Sequence, residues 1–526
     1  MMEKSRHLLK SAGAMGLMTT ISRIFGLIRD IFTTMYLGTG TGADAFNLAY
    51  RIPNLLRRLV AEGTMTAAFV PVFTEYRKKS SQEKMWDFAN KFFYTLTLIL
   101  AVAATVGIIF SRWIVKVIGF GFKEVPGKID LTTSLTQIMF FYLLFIGLAA
   151  LAMAILNSFD IFAAPAFTPV LLNISIIAAA YFLSPRFKDP SYAFGIGVLI
   201  GGFLQIVFQI PFLFKKGMRF LPRISFSHPA IRKVGLLMVP GFFGIGIIQI
   251  NVFISTIIAS SLAEGSVSSL TYANRITEFV LGIFVVSIST VILPLMSRQV
   301  IDEGIEAMKR TLSYALRLIF YITIPATVGL IILRVPIIRV LFQRGRFDYQ
   351  SVEMTAYPLI FFGLGLSIFA AIRVIAPSFY SLKDTKTPVK TAAAAMVANV
   401  ILALILKEPL QHGGIALALS LSSCLNLFLL FHIFQKRHGR IAKREMLVSL
   451  VKIATASLVM GVVCWWLAEL TNIAAQQRFL TQLWELMLII IASVASYVIM
   501  SLILKSEEIK ELLGVIFRRE ITLPKD

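Results

Sequence analysis

Arginines recur inside segments that are otherwise apolar: Arg23 and Arg29, then Arg51, Arg57 and Arg58, then Arg275, then Arg373. Asp30, Asp44, Glu62 and Glu278 are the acids of the same stretches. A guanidinium at the centre of a bilayer-crossing helix costs roughly 2.5–3.5 kcal/mol. Half a dozen facing lipid would cost on the order of 10 kcal/mol, so these groups must face protein or water. Their spacing agrees. Arg51, Asn54, Arg58 and Glu62 follow three- and four-residue steps and share one helix stripe, with Arg57 beside it. Ser268, Thr271, Arg275 and Glu278 form a second stripe of the same kind.

Two chemistries fit such a pattern. Ion pairs would lock helices together, with Arg58 on Glu62, Arg275 on Glu278, and Arg29 on Asp30 or Asp44. Yet arginine outnumbers acid in this set, and the excess points to an anionic ligand that binds and leaves. The planar guanidinium fork donates bidentate hydrogen bonds to phosphate and keeps its charge. Several of them around a wet internal cavity suggest a phosphate or pyrophosphate group. Gly26 lies between Arg23 and Arg29. It either lets the first helix bend or admits close helix packing.

The elements that must carry these groups follow from composition. Of 526 residues, 57% are hydrophobic and only 15% charged, where a soluble domain has about 25% charged. Mean hydropathy is +0.80. The fold class is all-α and polytopic, with about fourteen spanning segments. They fall near 11–37, 45–76, 87–118, 131–157, 163–184, 190–214, 230–262, 267–297, 308–334, 352–381, 388–406, 412–435, 446–471 and 480–505. The basic start, Met1 to Lys10, runs into a stretch holding Arg23, Arg29 and Asp30 with no clear cleavage site, which reads as a retained first helix rather than a signal peptide. Under this count one side collects about thirty Lys and Arg against about eleven on the other, so both termini are expected in the cytoplasm. The basic stretch from Arg334 to Arg346 falls on the opposite side and reads as an interfacial or re-entrant piece.

The chain also repeats itself. Ala49-Tyr50-Arg51-Ile52 resembles Ala273-Asn274-Arg275-Ile276. Val70-Pro71-Val72 resembles Leu293-Pro294-Leu295, and Ser158-Phe159 with Thr168-Pro169-Val170 resembles Ser378-Phe379 with Thr387-Pro388-Val389. The offset stays near about 220 residues. Two pseudo-symmetric six-helix lobes, 1–217 and 218–436, are therefore expected to form a central cavity, a transporter architecture. Residues 437–526 would add two helices and an amphipathic cytoplasmic tail with Ile509, Leu512, Leu513, Ile516 and Phe517 on one face.

Other classes find little support. A net charge of +23 suggests nucleic acid only in a soluble chain, and no recognition module is visible. Cys424 and Cys464 and the five histidines have no metal-ligand spacing, so no metal or cofactor is expected. No phosphate-binding loop of the nucleotide-hydrolase type occurs. A membrane glycosyltransferase would need clustered carboxylates or histidines at a membrane face, and an enzyme is not expected.

At Ser22-Arg23-Ile24-Phe25-Gly26-Leu27-Ile28-Arg29-Asp30, Ala43-Asp44-Ala45-Phe46, Arg51-Ile52-Pro53-Asn54-Leu55-Leu56-Arg57-Arg58 and Ala61-Glu62-Gly63 the sequence resembles the MviN/MurJ family of lipid II flippases. That family lies within the superfamily of multidrug and lipid-linked oligosaccharide exporters. The later stretches Gly265-Ser266-Val267-Ser268 and Ala376-Pro377-Ser378-Phe379-Tyr380-Ser381 are similar as well. The resemblance implies a V-shaped cavity between the lobes, a lipid groove on the last two helices, and export of a polyprenyl-pyrophosphate-linked peptidoglycan precursor across the bacterial inner membrane. It places substrate binding on Arg23, Arg29, Arg57 and Arg275, with Asn54 and Ser268 nearby. Gating and ion-pair roles fall to Asp44, Glu62, Glu278, Arg51, Arg58, Gly26 and Arg373. Asn274 and Arg373 stand where relatives often have Asp and Lys. The expected partners are lipid II, membrane lipids and cell-wall synthesis proteins, and the expected state is a monomer. Another lipid-linked glycan as cargo, or a multidrug antiporter, is the alternative; an antiporter for cations should line its path with acids.

Overall fold

A computed structural model describes residues 2–60, 64–441, 443–473 and 478–510, and over these the chain is helix joined by short connections. Nine helices among the described residues are long and apolar enough to cross a membrane. In such helices the backbone must satisfy itself, and short polar side chains turn inward. Thr33 donates to the Arg29 carbonyl at 2.8 Å and Thr132 to the Lys128 carbonyl at 2.6 Å. The chain packs as two compact units, Met1–Ser268 with Arg344–Asp348, and Ser269–Gln343 with Tyr349–Asp526.

The first unit contains α1 (Met2–Leu37), α2 (Thr41–Val60), α3 (Thr64–Lys79), α4 (Gln82–Ile118), α5 (Lys128–Ser158), α6 (Ala163–Leu183), α7 (Ser191–Lys215) and α8 (Pro229–Ser260). Its centre is α5, which packs on α2, α3, α4 and α7. The core is aromatic, with Phe69, Phe73, Phe88, Tyr142 and Phe194 buried together. Where α6 and α7 meet, small residues set the approach. A Cβ added at Gly201 would stand 2.9 Å from the Leu172 Cα. The stretch 45–76, expected as one span, is described as α2 up to Val60 and α3 from Thr64, and residues 61–63 between them lie outside the described residues. The expected lobe boundary at 217/218 marks the sequence repeat, whereas packing divides the chain at Ser268, because α8 lies on α2, α3 and α4.

The segment 334–346 takes two forms. Arg334–Phe342 is a nine-residue helix, α11, in the second unit. The turn after it belongs to the first unit, where the Arg346 amide donates to the Met35 carbonyl at 2.8 Å. The seat is the end of α1. Gly38 has φ +60°, and a Cβ there would lie 2.5 Å from the Arg346 carbonyl oxygen, so only glycine fits.

The second unit takes α9 (Ser266–Asp302) from Ser269 onward, then α10 (Ile305–Ile332), α11, α12 (Tyr349–Ser381), α13 (Lys386–His438), α14 (Lys443–Thr471) and α15 (Phe479–Ile503). Leu281, Leu316, Leu366, Phe379 and Phe434 form its main core. The spans expected at 388–406 and 412–435 run together as α13, with Gln411 (φ 46°, ψ −132°) as the break. α14 packs on α10 and α15, and the Tyr497 hydroxyl donates to the Tyr321 carbonyl at 2.7 Å. The tail positions Leu512, Leu513, Ile516 and Phe517 lie outside the described residues.

Candidate substrate-binding groups

In the first unit α1 and α2 carry the arginines. Arg23 is half-buried. Arg29 donates from Nε and Nη2 to Asp30 Oδ1, at 3.1 and 2.7 Å, and from Nη1 to Asn173 Oδ1 at 3.0 Å. Asn173 in turn donates to the Ser22 carbonyl at 3.2 Å, so one amide ties α6 to α1 above and below Gly26. A Cβ added at Gly26 would stand 3.7 Å from the Asn173 amide nitrogen, an ordinary contact. Arg29 was expected to meet substrate directly; here its charge is balanced by the neighbouring carboxylate.

On α2, Arg51 donates to the Thr256 hydroxyl of α8. Arg57 Nε donates to Asn54 Oδ1 at 2.8 Å, which fixes the fork three residues from its partner. Arg58 is exposed. Glu62 lies outside the described residues, so its pairing with Arg58 is not described.

Asp44 occupies a different setting. It and Lys128 are each 2% exposed, with Nζ 2.8 Å from Oδ2. The carboxylate also accepts from the Gly265 amide at 2.9 Å, the Ser268 amide at 2.8 Å and the Ser268 hydroxyl at 2.7 Å. It therefore caps the first turn of α9, where orphan amides and the helix dipole favour a negative charge. The arginine partner expected for Asp44 is replaced by Lys128, and Ser268, expected beside substrate, is buried with its hydroxyl on Asp44.

In the second unit Arg275 and Glu278 are exposed on α9. Glu278 pairs with Arg373 of α12, Nη2 lying 2.9 and 3.0 Å from the two carboxylate oxygens. The pair expected between Arg275 and Glu278 does not form, because the α12 guanidinium takes both oxygens. Arg275 has no ion-pair partner among the described residues.

Three participants escaped the sequence reading. Lys128, at the start of α5, reads as an ordinary interfacial lysine. Thr256 reads as a back-bonded hydroxyl. Asn173 carried a usable signal, a lone amide deep in the apolar run 163–184.

Comparison with known proteins follows the same lines. The family model described as lipid II flippase MurJ matches residues 33–484. This chain belongs to the MurJ family. A MurJ relative from Vibrio cholerae, named probable lipid II flippase, is 38% identical over 469 residues, 88% of this chain and 89% of the relative. One from Burkholderia cenocepacia, named lipid II flippase MurJ, is 35% identical over 454 residues, 86% of this chain and 88% of its own length. A solved structure of MurJ in an inward closed conformation superposes with TM-score 0.78 at 28% identity, covering 96% of this chain and 99% of that one. An inward-facing multidrug resistance transporter of the MATE family shares the fold, with TM-score 0.67 at 14% identity over 80% of this chain and 96% of that one. Like its MurJ relatives, the chain is a multi-pass membrane protein.

Proposed function

We propose that this chain moves lipid II, the polyprenyl-pyrophosphate-linked peptidoglycan precursor, from the inner to the outer leaflet of the bacterial cytoplasmic membrane. The name shared by the curated relatives supports the cargo, and the guanidinium groups support the chemistry. The carrying observation is that Arg57, steadied by Asn54, and Arg275, without an ion pair among the described residues, present guanidinium groups on the long helices α2 and α9. Arg23, Arg57 and Arg275 are assigned to the pyrophosphate, which suits their bidentate forks. Arg29, held by Asp30 and Asn173, is assigned to keeping α1 against α6. Alternating access completes the cycle: bound phosphate offsets the cationic charge and biases the chain toward the opposite-facing state. Both termini lie in the cytoplasm, as the distribution of Lys and Arg favours. No catalytic step is assigned to any residue.

The test is complementation in cells depleted of their own flippase. Arg57→Ala and Arg275→Ala should each abolish growth at normal protein levels. Normal growth of both would remove the proposed site. Purified protein in vesicles should translocate lipid II; equal transport of unrelated polyprenyl-pyrophosphate glycans would broaden the cargo to lipid-linked glycans as a class.

A further inference from the structure

Apart from the arginines, the second unit buries one histidine that the proposed transport cycle does not use. His412 follows the backbone break at Gln411 that divides α13, and it is 6% exposed. Its ring completes a gap in the neighbouring helix. On α12 the Met354 carbonyl would ordinarily accept from the amide four residues on, but that residue is Pro358, which has no N–H to give. His412 Nε2 stands 2.9 Å from the Met354 oxygen. A carbonyl only accepts, so Nε2 carries the hydrogen and supplies the donor that the proline lacks. In the neutral ring this leaves a lone pair on Nδ1. Nδ1 is buried and has no partner among the described residues.

The surroundings of the ring are close-packed. Tyr357 of α12 meets it edge to face, with centroids 5.5 Å apart. A Cβ added at Gly413 would stand 2.4 Å from the Tyr357 ring, and one at Gly414 2.2 Å from the Leu406 carbonyl oxygen. The chain enters this seat through Gln411 at φ 46°, a conformation that a residue with a side chain keeps only where its surroundings impose it. The other titratable groups here are Glu353 and Tyr357 on α12 and Lys407 and Glu408 on the turn. Glu353 is exposed, Lys407 pairs with Glu408 at 3.6 Å, and none of the four bonds to Nδ1. A proton added at Nδ1 would therefore put a charge and a second N–H into a closed place without an acceptor. We propose that His412 is a proton-released clasp: neutral, it closes the proline gap of α12 and keeps the turn 407–414 seated, and protonated, it leaves Met354 and frees that turn. Acid favours the open joint, because only the freed ring takes up the extra proton. In the orientation proposed above the turn lies on the outer side, so the proton comes from outside the cell. The clasp involves none of the arginines and is independent of the cargo.

The test follows backbone hydrogen exchange of the full chain in dodecyl maltoside, without cargo, each rate being divided by the intrinsic rate at that pH. A freed imidazole titrates near about 6.5, so the open population, and with it the corrected exchange of 412–418, should rise about tenfold from about pH 7.5 to about pH 5.5. The α10 core around Leu312, Leu316 and Ile319 should change little. His412→Gln, whose side-chain amide still donates to Met354 but takes up no proton, should exchange slowly at both pH values. His412→Phe, which bares the Met354 carbonyl, should exchange fast at both. Equal wild-type protection of 412–418 at the two pH values would make His412 a fixed packing residue and overturn the clasp, and this comparison needs no variant to fold. An acid response that survives in His412→Gln would assign the release to another group and overturn it as well. With no cargo in the experiment, neither result bears on the assignment of lipid II.

Discussion

The Asp44 carboxylate takes four donors at once, from one ammonium, one hydroxyl and two backbone amides. Removing a single partner from a buried ion pair leaves a charge uncompensated, which costs about 3–5 kcal/mol. Lys128→Met should therefore lower the melting temperature clearly in detergent. Asp44→Ala should lower it further, because it strands Lys128 and also uncaps α9. Ser268→Ala, which removes one hydroxyl, should cost about 1 kcal/mol. A larger loss from Ser268→Ala than from Lys128→Met would show that the hydroxyl, not the ammonium, anchors the carboxylate. Which arginines interrupt apolar stretches was legible in the sequence, because such a stretch makes each one conspicuous. Which carboxylate each meets was not. Arg29 lies beside Asp30 in sequence and in space, but Glu278 turns to Arg373, ninety-five positions away, and nothing in local spacing selects that partner over Arg275.

Among the elements, two junctions carry testable weight. Gly38 ends α1 in the left-handed region and lies against the Arg346 carbonyl. Gly38→Ala adds both strain and a clash and should cost more than about 1 kcal/mol, read as a lower melting temperature. Asp384 starts α13. It accepts from the Lys386 amide at 3.1 Å, the Thr387 amide at 3.0 Å and the Thr387 hydroxyl at 2.5 Å, and pairs with Arg437 at 2.8 Å. The Thr387 hydroxyl foremost, with the amides and Arg437, holds its carboxyl below the usual range against a weaker upward push from burial. A depressed folded value gives stability that is present above the unfolded value of about 3.9 and is lost as pH falls through the folded one. Asp384→Ala should then be less stable than wild type at neutral pH by about 1 kcal/mol, and the gap should close in thermal melts run below about pH 4. Hydrophobic runs revealed most helices, but not every junction between them. The docking of 344–348 on α1 depends on a turn geometry that only Gly38 and Gly345, both at positive φ, hint at.

At the scale of the whole chain, the internal repeat was visible because proline and arginine recur at a constant offset. How contacts would divide the chain was not, since α8 begins after the repeat boundary yet packs on α2, α3 and α4. The repeat leaves a trace in the folded elements: Arg51 and Pro71 sit on α2 and α3, and their counterparts Arg275 and Pro294 on α9. One further feature bears on orientation. A straight helix as long as α13 would measure about 80 Å, more than twice a ~30 Å hydrocarbon core, so the backbone irregularity at Gln411 has to reverse the chain's course. Glu408 and Pro409 just before it are exposed. An epitope spliced between them interrupts no packed segment, and on spheroplasts with sealed membranes an added antibody should decorate it without permeabilisation. Staining that appears only after lysis would invert the orientation assigned to every span.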